Sequence, residues 1–368
     1  MAAPTRLSWL RWTTIAPAVA VVALGITWGR ALATVPVILV AVVLAAAVLA
    51  AVHHAEVVAH RVGEPFGSLV LAVAVTVIEV ALIVTLMVSG GPKTASLARD
   101  TVFAAVMITA NGVFGLSLLL GTLRRKTAVF NAEGTGSALA TVGTLATLSL
   151  VLPTFTTSRQ GPEFSTAQLG FAAIASLILY GAFVVTQTVR HRDFFLPVGE
   201  DGKVLDEPDD AHSGRPSVRE TVLSLVLLLV ALVAVVGLAK VESPAIEAGV
   251  AALGFPQSFV GVVIALLVLL PETIAAANAA RRDRVQVSLN LALGSAMASI
   301  GLTIPAIALA SIWLSGPLVL GLDPTQIVLL VITVVIGGFT IAPGRATRLQ
   351  ACVHLVLLAA FVFLAASP

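Results

Sequence analysis

Apolar residues run through this chain in long stretches, broken only by short clusters of charge, proline and glycine. The ten-residue alternation of a barrel strand is absent from these stretches, so the predicted membrane-crossing element is the α-helix. Reading the breaks predicts eleven spans, near 13–30, 34–53, 66–90, 100–122, 136–153, 167–189, 220–239, 257–280, 286–313, 324–342 and 347–366. Trp9, Trp12 and Trp28 bracket the first span like an interfacial belt. Its length, and the lack of a small-residue cleavage site, predict a retained helix and not a removed leader. The pattern therefore predicts an all-α polytopic membrane protein.

Composition narrows the class further. Of 368 residues 58% are hydrophobic and 11% charged, where a soluble domain carries about 25% charge. At roughly 20 apolar residues per span, that supply fills about ten or eleven helices and little else. Lys and Arg number 21 against 19 Asp and Glu, which excludes a nucleic-acid-binding module. The single cysteine, Cys352, excludes a disulfide scaffold and a four-thiolate metal site. Assigning loops to alternate sides puts sixteen of the 21 basic residues on one side and five on the other. The positive-inside rule then predicts an N-terminus inside and a C-terminus outside a bacterial cytoplasmic membrane.

One long polar segment, His191 to Glu220, interrupts the apolar pattern. It gathers eight acidic residues: Asp193, Glu200, Asp201, Asp206, Glu207, Asp209, Asp210 and Glu220. With the first helix set aside, five spans lie on each side of it. Five is odd, so two related halves would insert with opposite topology, a common transporter construction. The expected organisation is an accessory helix over 1–31, a five-helix repeat over 32–190, a cytoplasmic acidic loop over 191–219 and a second, inverted five-helix repeat over 220–368. Asp206, Glu207, Asp209 and Asp210 form a candidate regulatory loop that concentrates or senses cations; the plainer alternative is a solvated linker.

Inside the spans almost every ionisable group is gone. Glu79 lies in AVAVTVIEVALIV, more than ten residues from its nearest charged neighbours, Glu64 and Lys93. Glu272 lies in ALLVLLPETIAAANAA, between Glu247 and Arg281. Each sits on the second helix of its own half. A carboxylate at membrane depth costs several kcal/mol unless it takes a proton, meets a cation or faces the bundle interior, so such residues mark ion or proton pathways. The alternative is a neutral, hydrogen-bonded structural acid. The helix after each glutamate adds Thr109 and Asn111 in the first half and Gly294, Ser295, Ser299 and Thr303 in the second. Small residues there serve packing as well, but the amide of Asn111 needs polar partners in a medium without water.

Residues 63–84, GEPFGSLVLAVAVTVIEVALIV, resemble the first alpha-repeat of the calcium/cation antiporter superfamily, through Gly63, Glu64, Gly67 and Glu79 with Asn111 on the next helix. Residues 259–305 resemble the second, through Glu272, Gly294-Ser295-Ala296 and Pro305. The likeness extends to the eleven-helix plan and the acidic central loop, most nearly as in bacterial ChaA-type sodium-potassium/calcium–proton antiporters. It implies that Glu79 and Glu272 bind the transported metal ion or proton, with Thr76, Asn111, Ser295 and Ser299 as neutral oxygen ligands. It implies transport of Ca2+, Na+ or K+ against H+ with no cofactor and no enzymatic activity. Lipid and the transported ions are then the expected partners, nucleic acid is not, and a homo-oligomer is left open.

The chain departs from the calcium-exchanger pattern in one place. Those exchangers carry Gly-Asn-Ala-x-Glu before each glutamate, where this sequence has Val75-Thr76-Val77-Ile78-Glu79 and Val268-Leu269-Leu270-Pro271-Glu272. The amide expected after Gly-Ser-Ala is replaced by Ala298 with Ser299 beside it. Calcium prefers six to eight oxygens, so the sparse neutral ligands predict a weakly discriminating site that accepts monovalent cations too, most active at alkaline pH. Two rival readings remain on the residues alone. His53, His54, Glu56 and His60, near the end of the second span, suggest a membrane-embedded metalloenzyme or else an interfacial turn; a passive cation channel is the other rival. His354 and Cys352 read as packing residues of the last span.

Overall fold

The computed structural model describes residues 11–30, 32–63, 66–90, 94–199, 204, 216–313 and 316–368. The protein is an all-α polytopic membrane protein. Among the described residues, ten helical runs are long and apolar enough to cross a membrane, and a shorter apolar helix precedes them. That first helix is α1 (Trp12–Thr27), followed by α2 (Thr34–Val62) and α3 (Phe66–Gly90). The fourth run joins α4 (Leu97–Met107) to α5 (Phe114–Arg124) through a π turn at Ile108–Val113. The fifth joins α6 (Ala132–Ala146) to α7 (Leu152–Phe155) through a second π turn, and the sixth is α8 (Thr166–Val185) with a third π turn at its end. Next come α9 (Val218–Ala252), α10 (Phe259–Arg281) and α11 (Val285–Gly301), which continues into α12 (Thr303–Ala310). The last two are α13 (Pro324–Ile341) and α14 (Arg348–Ala366).

Helix starts follow from local chemistry. Ser165 and Gln168 form a capping box at α8, Asp323 and Gln326 form another at α13 with Pro324 in its first turn, and the Asn131 side chain accepts from the Glu133 and Gly134 amides at α6. Each device satisfies N–H groups that a helix start leaves without partners. Two helices outrun the spans expected of them. α2 continues nine residues past 53 because AEVVAHRV contains no breaker, and it ends where Gly63 adopts φ 78°. α9 passes 239 and carries Pro244 internally, losing one N–H donor without terminating. The histidines at 53, 54 and 60 are therefore helical, and not part of an interfacial turn.

The chain divides into two compact units: residues 1–89 with 213–249, and residues 90–212 with 250–368. In the first unit α1 packs along α2, and Leu24 of α1 lies against Gly237 of α9. Arg61 donates to the Pro216 carbonyl at 3.2 Å, while Lys240 lies 5.2 Å from the centre of the Trp28 ring. These groupings by contact cut across the sequence halves, because α9 joins helices that precede the acidic loop.

In the second unit α4, α5, α10, α11 and α14 pack around the π turn at Ile108–Val113. Small residues allow the close approaches: a Cβ on Gly261 would sit 2.8 Å from the backbone of Asp100 and Thr101, so α10 crosses α4 almost backbone to backbone. Loop contacts in this unit obey the parity of the span count. β1 (Ala128–Val129) follows the fourth span and pairs antiparallel with β2 (Arg345–Ala346), which follows the tenth. Both counts are even, so a chain crossing at every span returns both strands to one side. The loops after spans three, five and nine meet likewise: Val319 N–H donates to the Ala95 carbonyl at 3.1 Å and Gly321 N–H to the Pro162 carbonyl at 2.9 Å. A miscounted span between these loops would separate them by a membrane.

Candidate cation and proton site

Glu79 is the fourteenth residue of α3 and Glu272 the fourteenth of α10. With about 1.5 Å rise per residue, that position lies close to 20 Å along each helix, near the middle. Glu79 is 2% exposed and belongs to the first unit, as does buried Thr76, three residues earlier and on the same helical face. Glu272 is half-buried and belongs to the second unit. Pro271 precedes it inside α10. Having no N–H, Pro271 leaves the Leu267 carbonyl without its usual helical donor.

The second unit brings the elements of the other predicted ligands together. α10 and α11 pack along each other, and both pack against the π turn that carries Asn111. Ser295 and Ser299 are four residues apart on α11 and share a face; Ser299 is buried and Ser295 half-buried. Ser288, lower on the same helix, donates to the Ala276 carbonyl of α10 at 2.6 Å and lies 2.5 Å from the Ser117 hydroxyl of α5. These bonds pin the glutamate-bearing helix to its neighbours.

Asn111 is fully buried, and a polar network surrounds it. Its amide nitrogen donates to Thr333 Oγ1 at 2.9 Å, and its Oδ1 lies 3.1 Å from His354 Nδ1. Nε2 of His354 lies 3.2 Å from Thr340 Oγ1. His354 is thus no plain packing residue, contrary to the expectation from its apolar helix; Cys352 is exposed on the same helix. Thr109 donates to the Ala105 carbonyl at 2.7 Å, so its hydroxyl is satisfied within its own helix. A π turn widens the helical ladder and recurs at functional sites. No sequence signal announces it here beyond the amide itself.

The histidine cluster does not converge. His54 is buried, with Nε2 2.9 Å from the Thr13 carbonyl and Nδ1 3.3 Å from Ser224 Oγ. Both ring nitrogens are thereby committed to tying α1, α2 and α9 together. Among the described residues no group of three His, Cys, Asp or Glu side chains is placed to hold a metal ion. That removes the geometric basis for the metalloenzyme reading of His53, His54 and His60. Asp206, Glu207, Asp209 and Asp210 lie outside the described residues.

Two buried carboxylates escaped the sequence reading. Asp100, at the start of α4, pairs with Arg99 at 2.8 Å and accepts from Ser96 Oγ at 2.8 Å. It lines a cavity of about 290 Å³ together with Asp323 and Gln326, and its charge is already balanced by the neighbouring guanidinium. Glu242 in α9 is buried, and its Oε1 has no hydrogen-bond donor among the described residues. Ending the seventh span at 239 had placed it in a loop.

The chain belongs to the sodium/calcium exchanger protein family, which it matches over residues 32–189 and 223–366. It is 47% identical over 318 residues to the candidate ionic transporter y4hA of Sinorhizobium fredii, covering 86% of this chain and 85% of the relative. It is 34% identical over 353 residues to the sodium-potassium/proton antiporter ChaA of Escherichia coli, covering 95% and 94%. The crystal structure of the H+/Ca2+ exchanger CAX shares the fold with a TM-score of 0.68 at 15% identity, covering 96% of this chain and 91% of that one. Family and fold together support cation exchange across a membrane, and the relatives are transporters and not enzymes.

Proposed function

We propose that the protein is a secondary antiporter that exchanges cytoplasmic calcium, and sodium or potassium alongside it, for protons, with Glu79 and Glu272 acting as one shared binding pair. The observation that carries this reading is the matched placement of the two carboxylates, each the fourteenth residue of its helix and each in a different half of the chain. The halves, 32–190 and 220–368, act as inverted repeats, each supplying one glutamate from the matching position of its own helix.

Coupling follows from electrostatics. A carboxylate in a dry environment is stable only when neutralised, by a proton or by a metal cation. One pair of carboxylates cannot hold both at once, so proton binding and cation binding exclude each other. Rearrangement between inward and outward states is disfavoured while the pair is bare, because unneutralised charge would cross a dry region. Thr76, Asn111, Ser295 and Ser299 supply neutral oxygens, supplemented by the Leu267 carbonyl that Pro271 releases. This set is sparse for calcium, which takes six to eight oxygens. Monovalent ions therefore compete at the same carboxylates. The ions are cargo; no resident cofactor is needed. The basic-residue bias favours an N-terminus inside the bacterial cytoplasmic membrane.

Reconstituted proteoliposomes carrying a pH-sensitive dye test this directly. Addition of calcium, sodium or potassium drives proton movement in the opposite direction. Glu79→Gln and Glu272→Gln each abolish that movement while the protein still inserts. Near-normal exchange in either variant overturns the paired-carboxylate mechanism, and cation flux independent of any proton gradient overturns antiport in favour of a channel.

A further inference from the structure

α14 is apolar over most of its length, yet at His354 it carries an imidazole that is 1% exposed. The ring joins three elements of the second unit: its own helix, the π turn at Asn111 and α13 at Thr340. Donor and acceptor accounting orients the Asn111 amide. Thr333 Oγ1 gives its one proton to the Leu329 carbonyl at 2.7 Å, so toward Asn111 it acts only as an acceptor, from Nδ2 at 2.9 Å. Oδ1 must then face His354. A carbonyl oxygen only accepts, so the imidazole proton sits on Nδ1, and Nε2 accepts from the Thr340 hydroxyl.

We propose that His354 is a positioning residue for cation binding, donating from Nδ1 to hold Asn111 Oδ1 in a single orientation so that its second lone pair serves as a preformed ligand. The inference rests on the reading of Asn111 as a cation ligand. A carboxamide free to rotate about its last bond would present nitrogen as often as oxygen to an incoming ion. Bound at both ends, by Thr333 and by His354, it presents oxygen alone, and the cost of ordering the ligand is removed from the binding step. The bland alternative is that the imidazole fills space between α14 and the π turn, where Gly115 already lets the helices approach so closely that a Cβ there would sit 2.9 Å from His354 Cβ.

Two amide substitutions separate these roles. An asparagine side chain places its N–H where Nδ1 stands, whereas glutamine places it nearer Nε2. His354→Asn therefore keeps the bond to Asn111, and His354→Gln keeps only the link toward Thr340. In the proteoliposome assay the KM for calcium is measured for wild type, His354→Asn, His354→Gln, His354→Leu and Asn111→Ala, with thermal stability in detergent recorded for each. The expected result is a KM within about twofold of wild type for His354→Asn. For His354→Gln and His354→Leu the KM should rise by about five- to tenfold, the size of one lost hydrogen bond, with maximal rate little changed. Asn111→Ala should raise KM at least as much. Equal KM values for the Asn and Gln variants, alongside a raised KM for Asn111→Ala, overturn the positioning role and leave His354 as packing. An unchanged KM for Asn111→Ala removes the ligand on which the proposal depends. Glu272→Gln in the same assay then reports separately whether the glutamate pair stands.

Discussion

The two glutamate helices place their carboxylates alike and surround them differently. α3 runs through Val75, Thr76, Val77 and Ile78 to Glu79 as an unbroken helix, with the buried Thr76 hydroxyl three residues before the acid on the same face. α10 reaches Glu272 through Pro271, and the missing N–H leaves a main-chain carbonyl one turn back available. One half thus offers a hydroxyl with its acid and the other a backbone oxygen. The comparison separates what coupling needs, a carboxylate in each half, from what selectivity needs, the neutral oxygens around it. Under the proposed mechanism, carboxylates at matching helical positions with unlike neutral oxygens around them would draw any cation and discriminate weakly among them.

The largest expected effect breaks the symmetric part. Glu79→Gln and Glu272→Gln should abolish coupled proton movement to the same degree, since each removes one exchangeable site from a shared pair. Unequal losses in the liposome assay would mean that the halves hold different roles. A smaller effect tests the asymmetric part. Pro271→Ala restores the donor for the Leu267 carbonyl and should weaken calcium by about fivefold, the size of one hydrogen bond of about 1 kcal/mol, leaving sodium less affected. Thr76→Val removes the hydroxyl at nearly constant volume and should act in the same direction on the other half. Calcium and sodium KM values for the two variants check both. The smallest effect belongs to the acidic loop: neutralising Asp206, Glu207, Asp209 and Asp210 together should raise the cation KM by about twofold at low salt and leave maximal rate intact, vanishing as ionic strength screens the charges. No change at low salt would mark the segment as a linker.

Much of the fold was legible because a bilayer demands long apolar helices and tolerates little else. Among the described residues ten of the expected spans hold helices long and apolar enough to cross a membrane, a shorter apolar helix stands at the first, and the loops meet as the count requires. The ends of α2 and α9 were not legible, because polar residues such as His60 and Glu242 continue a helix as readily as they leave it. Glu79 and Glu272 stood out because a charge inside an apolar run is costly. Asn111 stood out because its neutral amide needs polar partners there, but its π turn did not, since backbone widening leaves no composition signature. His354 was misread because a lone histidine on an apolar helix looks the same whether it packs or bonds. Its partner Asn111 lies 243 residues away in the chain, and only tertiary structure joins them.

The central claim is that protons and metal cations compete for one carboxylate pair. Adding calcium to weakly buffered, detergent-solubilised protein, with a pH indicator present, measures that competition without any membrane gradient. The account predicts proton release on calcium binding that saturates with site occupancy, falls in Glu79→Gln and in Glu272→Gln, and disappears in the double variant. Calcium binding of undiminished affinity with no proton release from the wild-type protein would contradict it.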